Sequence, residues 1–240
     1  MRRLLASLCA AALIFFVTTP ARALSVSTGV ISDDFNDGNT DGWEFPYNAG
    51  MSQGPGDWAV DGGELVQRFF GDSNNALVKD YILSDQNISV NAETQGYAGI
   101  VLWYQQIDGS MANYVSVNYN YQTGLEVREE INGQTFRSIY GGPWIGSDFN
   151  LLLEADSATG LLTVQIASHI NTNQGSLSHY ANTPIRAGLS GVFSGNHFGR
   201  FDDLLIVSDD INPVPEPGTM CLLGSGLVGL AGYGRKRRKA

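Results

Sequence analysis

Between positions 64 and 207, apolar and polar residues alternate in short runs, and no stretch keeps a 3.6-residue apolar period for three turns. Successive side chains on a strand point to opposite faces, so a period of two marks half-buried strands. The runs fall at 64–70, 76–81, 87–94, 99–105, 113–121, 125–131, 135–140, 149–155, 161–167, 187–193 and 201–207. Turn signals separate them, among them Asp61-Gly62-Gly63, Asp108-Gly109, Thr123-Gly124, Gly141-Gly142-Pro143 and Thr159-Gly160. Asn132-Gly133 is the best tight-hairpin candidate, because both central residues of a type I′ turn need positive φ. It should join 125–131 to 134–140. The segment 171–182 reads as the long loop.

About a dozen strands with no helix between them predict an all-β fold, an antiparallel two-sheet sandwich. The pleat then places Val115, Val117 and Tyr119 on one face, opposite Tyr114, Ser116 and Asn118. Likewise Leu125, Val127, Glu129 and Ile131 share a face opposite Glu126, Arg128 and Glu130.

Both ends differ from this middle. Arg2 and Arg3 precede an apolar run at 4–17, and Ala21-Arg22-Ala23 supplies a small-x-small site, so 1–23 reads as a signal peptide cut by signal peptidase after Ala23. Cys9 lies inside the apolar run, which argues against lipoprotein processing. At the other end, a linker at 209–218 holds Pro215, Glu216 and Pro217, and an apolar run fills 219–234. Arg235, Lys236, Arg237, Arg238 and Lys239 follow in a basic tail, 235–240. Prolines keep the linker extended, the apolar run suits hydrocarbon, and the cations hold the tail on the cytoplasmic side. Sixteen residues fall short of the roughly 20 of a full span, so a helix there needs local thinning or snorkelling.

The domain between these ends, 24–208, is cysteine-free, since Cys9 and Cys221 both lie outside it. Disulfide staples are therefore absent even where an oxidising compartment would allow them. Charge is lopsided: residues 24–212 carry six basic against 23 acidic residues, a net of −17 where the whole chain has −10. Nucleic acid is excluded as a partner, because phosphate neutralisation needs a basic face. Neutral sugars and divalent cations suit such a surface.

The ordered tail, Pro-Glu-Pro then Leu222 to Gly232 then the basic cluster, resembles the PEP-CTERM sorting signal of Gram-negative bacteria. That resemblance implies export, a stay in the cytoplasmic membrane, and processing by an exosortase-like enzyme before release to the cell surface or extracellular matrix. It also implies a setting of exopolysaccharide and biofilm. A second resemblance spans the domain. Asp34-Phe35, Trp58 to Leu65, Ala98 to Leu102, Leu151 to Ala155, Gly188 to Phe193 and Arg200 to Leu204, in that order, are similar to the concanavalin A-like (laminin G-like) jelly roll of lectins and glucanases. A shared fold does not carry its chemistry with it.

Four constellations are candidates for function. Asp33, Asp34, Asp37 and Asp41 crowd the start of the domain, and the resemblance implies neighbouring first and last strands, which would add Asp202 and Asp203. Hard cations want clustered oxygens, so a structural calcium ion is the candidate cofactor; Asx turns are the alternative. Glu126 and Glu130 resemble the outer carboxylates of a sandwich glucanase's Glu-x-Asp-x-Glu strand, with Arg128 replacing the central acid. Retaining catalysis needs carboxyls about 5 Å apart, whereas residues four apart on a strand stand about 13 Å apart. Arg128 there reads as charge compensation on a solvated face. His169, His179 and His197 show no metal-ligand spacing, and neither a nucleophile elbow nor a phosphate loop occurs. Tyr119, Tyr121, Arg128 and Arg137 could serve polysaccharide lyase chemistry.

Aromatic rings are the last candidates, because sugars stack their CH faces on them. Trp103, Tyr104, Trp144 and Tyr119 are named for carbohydrate binding, with core packing as the alternative for each. Trp103 and Tyr104 should point to opposite faces, one filling the core and one exposed. The reading that results is an exported, noncatalytic surface or matrix protein that binds carbohydrate. An extracellular glycoside hydrolase or polysaccharide lyase is one alternative, and a purely structural or adhesive domain is another.

Overall fold

The computed structural model describes residues 24–46, 57–68, 73–108, 111–196, 198–209 and 211–213. The expected signal peptide with Ala21 and Ala23 lies outside them. So do Pro215, Glu216, Pro217, the membrane segment, and Arg235, Lys236, Arg237 and Arg238. Among the described residues no helix is long and apolar enough to cross a membrane.

Eighteen strands make up the described structure. In chain order they begin with β1 (Ser25–Ser27), β2 (Val30–Asp33), β3 (Trp43–Glu44), β4 (Trp58–Asp61), β5 (Glu64–Gln67) and β6 (Ser73–Val78). Next come β7 (Tyr81–Ile82), β8 (Gln86–Thr94), β9 (Tyr97–Asp108), β10 (Met111–Asn120), β11 (Gly124–Ile131) and β12 (Gln134–Gly141). The chain continues with β13 (Asp148–Asp156), β14 (Leu161–Ser168), β15 (Gln174–Tyr180), β16 (Leu189–Gly195), β17 (Gly199–Val207) and β18 (Asn212–Pro213). All ladders are antiparallel. One sheet runs β1-β2-β17-β8-β13-β14-β15, with β5 on β17 and β4 on β5; the other runs β12-β11-β10-β9-β16-β6-β3.

This is the expected two-sheet sandwich, and much of its detail follows the alternation. Asn132 and Gly133 have φ of 51° and 77°, and Ile131 pairs with Gln134 across them. Val115, Val117, Tyr119, Leu125 and Val127 all enter the core between the sheets. They meet Ile88, Val90, Leu151, Leu153, Val164 and Ile206 of the opposite sheet. Each fully buried aliphatic side chain contributes about 1.5–3 kcal/mol, so a core of this extent stands without disulfides. β2 and β17 are neighbours, Asp33 opposite Leu204, which puts the two ends of the domain side by side as expected.

Two expectations need correction. The segment 171–182 is not a loop through its length, because β15 occupies Gln174–Tyr180 and pairs with β14. Edge strands need only one ladder and one buried face, so a polar Gly-Ser-Leu-Ser pattern suffices there. Trp103 and Tyr104 do face opposite sides, yet both are buried, at 0% and 3% exposure. Trp103 has a φ of 52°, and both ladders of β9 shift register around it, so a bulge turns Leu102 and Trp103 alike into the main core.

Close approach between strands forces glycine at Gly99 and Gly191, where an added Cβ would fall on the carbonyl oxygens of Val117 and Ala76. Gly99→Ala should therefore destabilise the domain by about 1–3 kcal/mol through overpacking. Urea unfolding checks this; an unchanged midpoint would contradict the packing.

Candidate functional site

Directly opposed residues of an antiparallel ladder share a face, so the registers lay out the outer surface of the seven-stranded sheet in rows. One row reads Asn75, Phe193, Gly99, Asn118, Glu126 and Ile139 from β6 to β12. The next reads Leu77, Gly191, Val101, Ser116, Arg128 and Arg137. From β6 to β11 this surface is sheltered, with Asn75, Ser116 and Asn118 at most 1% exposed and Glu126 2% exposed, whereas Arg137 and Ile139 at its β12 end are exposed. Leu77, Val101, Tyr104, Tyr114 and Phe193 pack as a second apolar cluster on it. The Tyr104 and Tyr114 rings stack with centroids 5.8 Å apart. Burial pushes the Tyr114 hydroxyl up to about 12 and raises Tyr104 as well.

Buried charges must be paired to be tolerated, and here they are. Arg137 grips Glu126 through Nε and Nη2, at 2.9 and 2.6 Å. Arg128 donates to Glu130 at 2.8 and 2.5 Å, and the Thr135 hydroxyl donates to the same oxygen at 2.7 Å. The bond to Glu126 raises the Arg137 pKa. The glutamates are therefore not on a solvated face, and each has its own arginine. β11 keeps regular register from Glu126 to Glu130 in both ladders, so no bulge draws the two carboxylates together.

A cavity of about 180 Å³ opens on this face, lined by Tyr97, Asn118, Glu126, Arg128, Arg137, Phe193 and Asn196. Asn118 donates its Nδ2 to Ser116 Oγ at 2.9 Å, while its buried Oδ1 has no donor. Asn75, three strands away on the same row, has both amide atoms unpartnered. Sequence reasoning picked neither asparagine as a site residue. Alternation assigned Asn118 to the face opposite Val117, but nothing in the pattern showed that this face is sheltered.

The rings proposed for sugar contact scatter. Trp103 and Tyr119 lie in the core; Trp103 Nε1 donates to the Ser84 carbonyl at 2.9 Å, and Tyr119 Oη accepts from the Ile145 amide at 2.8 Å. Tyr104 is on the sheltered face and Trp144 is 58% exposed. The lyase set is equally dispersed, with Tyr119 in the core, Tyr121 exposed and both arginines committed to glutamates.

His179 gives the unexpected contact. The Tyr140 hydroxyl and His179 Nδ1 are 2.5 Å apart, and His179 Nε2 stands 3.2 Å from Glu129. Glu129 also accepts from Asn182 Nδ2 at 3.0 Å and the Thr183 amide at 2.8 Å. Burial alone would raise the Glu129 pKa, but these bonds outweigh it and hold it below the ordinary value. The signal was legible: a glutamate on the Leu125–Val127 face demands donors. His169 bonds Asp148 at 2.7 Å on the surface, and His197 lies outside the described residues.

The acidic entrance is a chain of local turns. Asp33 accepts from the Phe35 amide at 2.8 Å and Trp43 Nε1 at 2.7 Å. Asp34 and Asp37 accept from the amides of Asn36 and Asn39, and the Asp41 amide donates to Asn39. Asp202 accepts from the Asp203 amide, and Asp203 from Asn91. Asp33, Asp34 and Asp203 do line one depression. Among the described residues, however, no group of three or more His, Cys, Asp or Glu is arranged to hold a metal ion.

Desolvation raises the Asp33 pKa from 3.8 to about 6 against its two hydrogen bonds. The folded state thus favours the protonated acid, and this contribution is complete below about pH 4 and lost as pH rises through 6. Relative to Asp33→Asn, the wild-type melting temperature should fall as pH goes from 4 to 6.5. A wild-type-minus-variant difference that does not change with pH would contradict the assignment.

Comparison with known proteins bears on both parts of the chain. Residues 213–238 match the model of the PEP-CTERM protein-sorting motif. No curated protein sequence matches the chain. Among solved structures, the basic winged bean lectin with Tn-antigen superposes with a TM-score of 0.53 at 9% identity, over 74% of this chain and 97% of that one. Lectin II from Ulex europaeus gives 0.51 at 13% identity, over 75% of this chain and 98% of that one. A native glycosidic hydrolase gives 0.50 at 11% identity, over 80% of this chain and the whole of the other. At such identities the likeness is one of fold. The described domain thus has the jelly-roll fold of these lectins, and the chain carries a PEP-CTERM motif at 213–238, a signal for export and for membrane-associated sorting by an exosortase.

Proposed function

We propose that the exported domain is a noncatalytic carbohydrate-binding module whose ligand lies on the sheltered face of the seven-stranded sheet. Its setting is the cell surface or exopolysaccharide matrix of a Gram-negative bacterium. The observation that carries this reading is the Asn118 carboxamide oxygen, buried and without a donor beside a cavity lined by Tyr97 and Phe193. A buried acceptor left unmade costs about 1–3 kcal/mol, and a saccharide hydroxyl supplies the missing donor. Pyranose CH faces fit the rings, as in small-molecule sites built from apolar walls and a few fixed polar groups.

Paired charges argue against hydrolysis. Glu126 and Glu130 lie four residues apart on a regular strand, which sets their Cα atoms about 13 Å apart. Retaining chemistry needs about 5 Å and inverting chemistry about 6.5–9.5 Å. An acid or nucleophile must also be free to exchange its proton or attack, and both carboxylates are held by guanidinium groups.

A glycan array probed with purified residues 24–212 should show selective binding. Asn118→Ala and Tyr97→Ala should each weaken it tenfold or more, and Asn118→Ala, which also gives up the buried bond to Ser116 Oγ, should lower the melting temperature as well. Silence across the array, or full binding by both variants, would refute the proposal. Sugar release, or an unsaturated product, would favour the enzyme instead.

A further inference from the structure

Sheets expose unpaired backbone at their edges, and proteins guard them with charge, proline or brevity. Two of the terminal strands here are short, β1 with three residues and β3 with two. β12, with eight, is long, and it ends the seven-stranded sheet. It contains no acid, lysine or proline, and its one charge, Arg137, is neutralised by Glu126. Phe136, Ile139 and Tyr140 are 48%, 58% and 46% exposed along it. β15, the end of the other sheet, has seven residues, also without an acid, and Tyr180 is its one exposed large apolar side chain. Elsewhere the domain is strongly acidic, with 23 acids against six bases between 24 and 212. β12 is therefore an edge along which two such molecules can meet without setting carboxylate against carboxylate.

This edge is also held rigid. Tyr140 of β12 bonds His179 of β15, which bonds Glu129 of β11, so the strand is fixed before anything docks on it. The occupant that fits is another copy of the same strand. A two-fold axis perpendicular to the sheet preserves faces, so only registers that pair residues of the same face are allowed. Centring the axis on Arg137 would set two guanidinium groups directly opposite, an unfavourable pairing. Centring it on Ser138 overlaps seven of the eight residues, 135–141, and sets Phe136 against Tyr140 of the second copy, twice.

We infer that β12 pairs antiparallel with β12 of a second copy about Ser138, joining two seven-stranded sheets into one. The sheltered faces of both copies then run on across the axis. Salt strengthens the pairing, since the screening length falls from roughly 10 Å at 0.1 M to roughly 3 Å at 1 M and both partners are anionic.

The chain suits a thiol test because its two cysteines, Cys9 and Cys221, lie outside the domain. Paired antiparallel residues have Cα atoms about 4.5–5.5 Å apart, within the roughly 4.4–6.8 Å of a disulfide. In the full chain carrying Cys221→Ala, Ser138→Cys should give a disulfide-linked dimer on a non-reducing gel. It should exceed at least tenfold the dimer from Gln165→Cys, an exposed control on β14. Adding Phe136→Lys should abolish that dimer. Sedimentation of the otherwise unaltered chain in detergent should show a dimer fraction that rises with salt. Equal cross-linking at Ser138 and Gln165, a cross-linked band of some other mass, or a monomer at every salt concentration would overturn the inference.

Discussion

The sheltered face of the seven-stranded sheet exists because four charges on it cancel. Glu126 and Glu130 are buried, Arg128 is nearly so and Arg137 reaches in from the exposed edge strand, and a carboxylate in such surroundings without its guanidinium would be expensive. Once paired, they leave a surface that is polar and without net charge. Around them Gly99, Gly191 and Ser116 keep the floor low, while Tyr97, Phe193 and the stacked Tyr104 and Tyr114 rise from it. The proposal of binding without catalysis rests on that arrangement rather than on any likeness to lectins.

The same rule operates on the inner face, with a different result. Glu129 enters the sandwich from β11 and takes its donors from His179, Asn182 and Thr183, all near the end of the opposite sheet. Satisfying one carboxylate thereby ties the last strands of the two sheets together. The flank is held in place by hydrogen bonds where other exported domains use disulfides. The PEP-CTERM motif is a separate device: it acts at 213–238, beyond the sandwich, and determines delivery rather than ligand.

Strand alternation made most of the sandwich legible. The 113–121 and 125–131 runs gave the inward residues correctly, and Asn132-Gly133 gave its hairpin, because both rest on local backbone geometry. What alternation cannot give is whether an outward face is open or sheltered. For that reason Trp103 and Tyr119 drew attention as rings while Asn118 and Asn75 did not. The bulge at Trp103 also broke the period at the very residue whose exposure was being read from it. β15 was missed because an edge strand with one inward face needs little apolar sequence. Glu129 stood on an apolar face in the sequence, and its need for donors could have led to His179.

The most direct test is amide NMR of residues 24–212 titrated with the glycan selected by binding. The account predicts shifts in the Asn118 side-chain amide and in the backbone of β9, β10 and β16, around the unpartnered oxygen. Shifts confined to β13, β14 and β15, or an unmoved Asn118 amide at saturation, would contradict it.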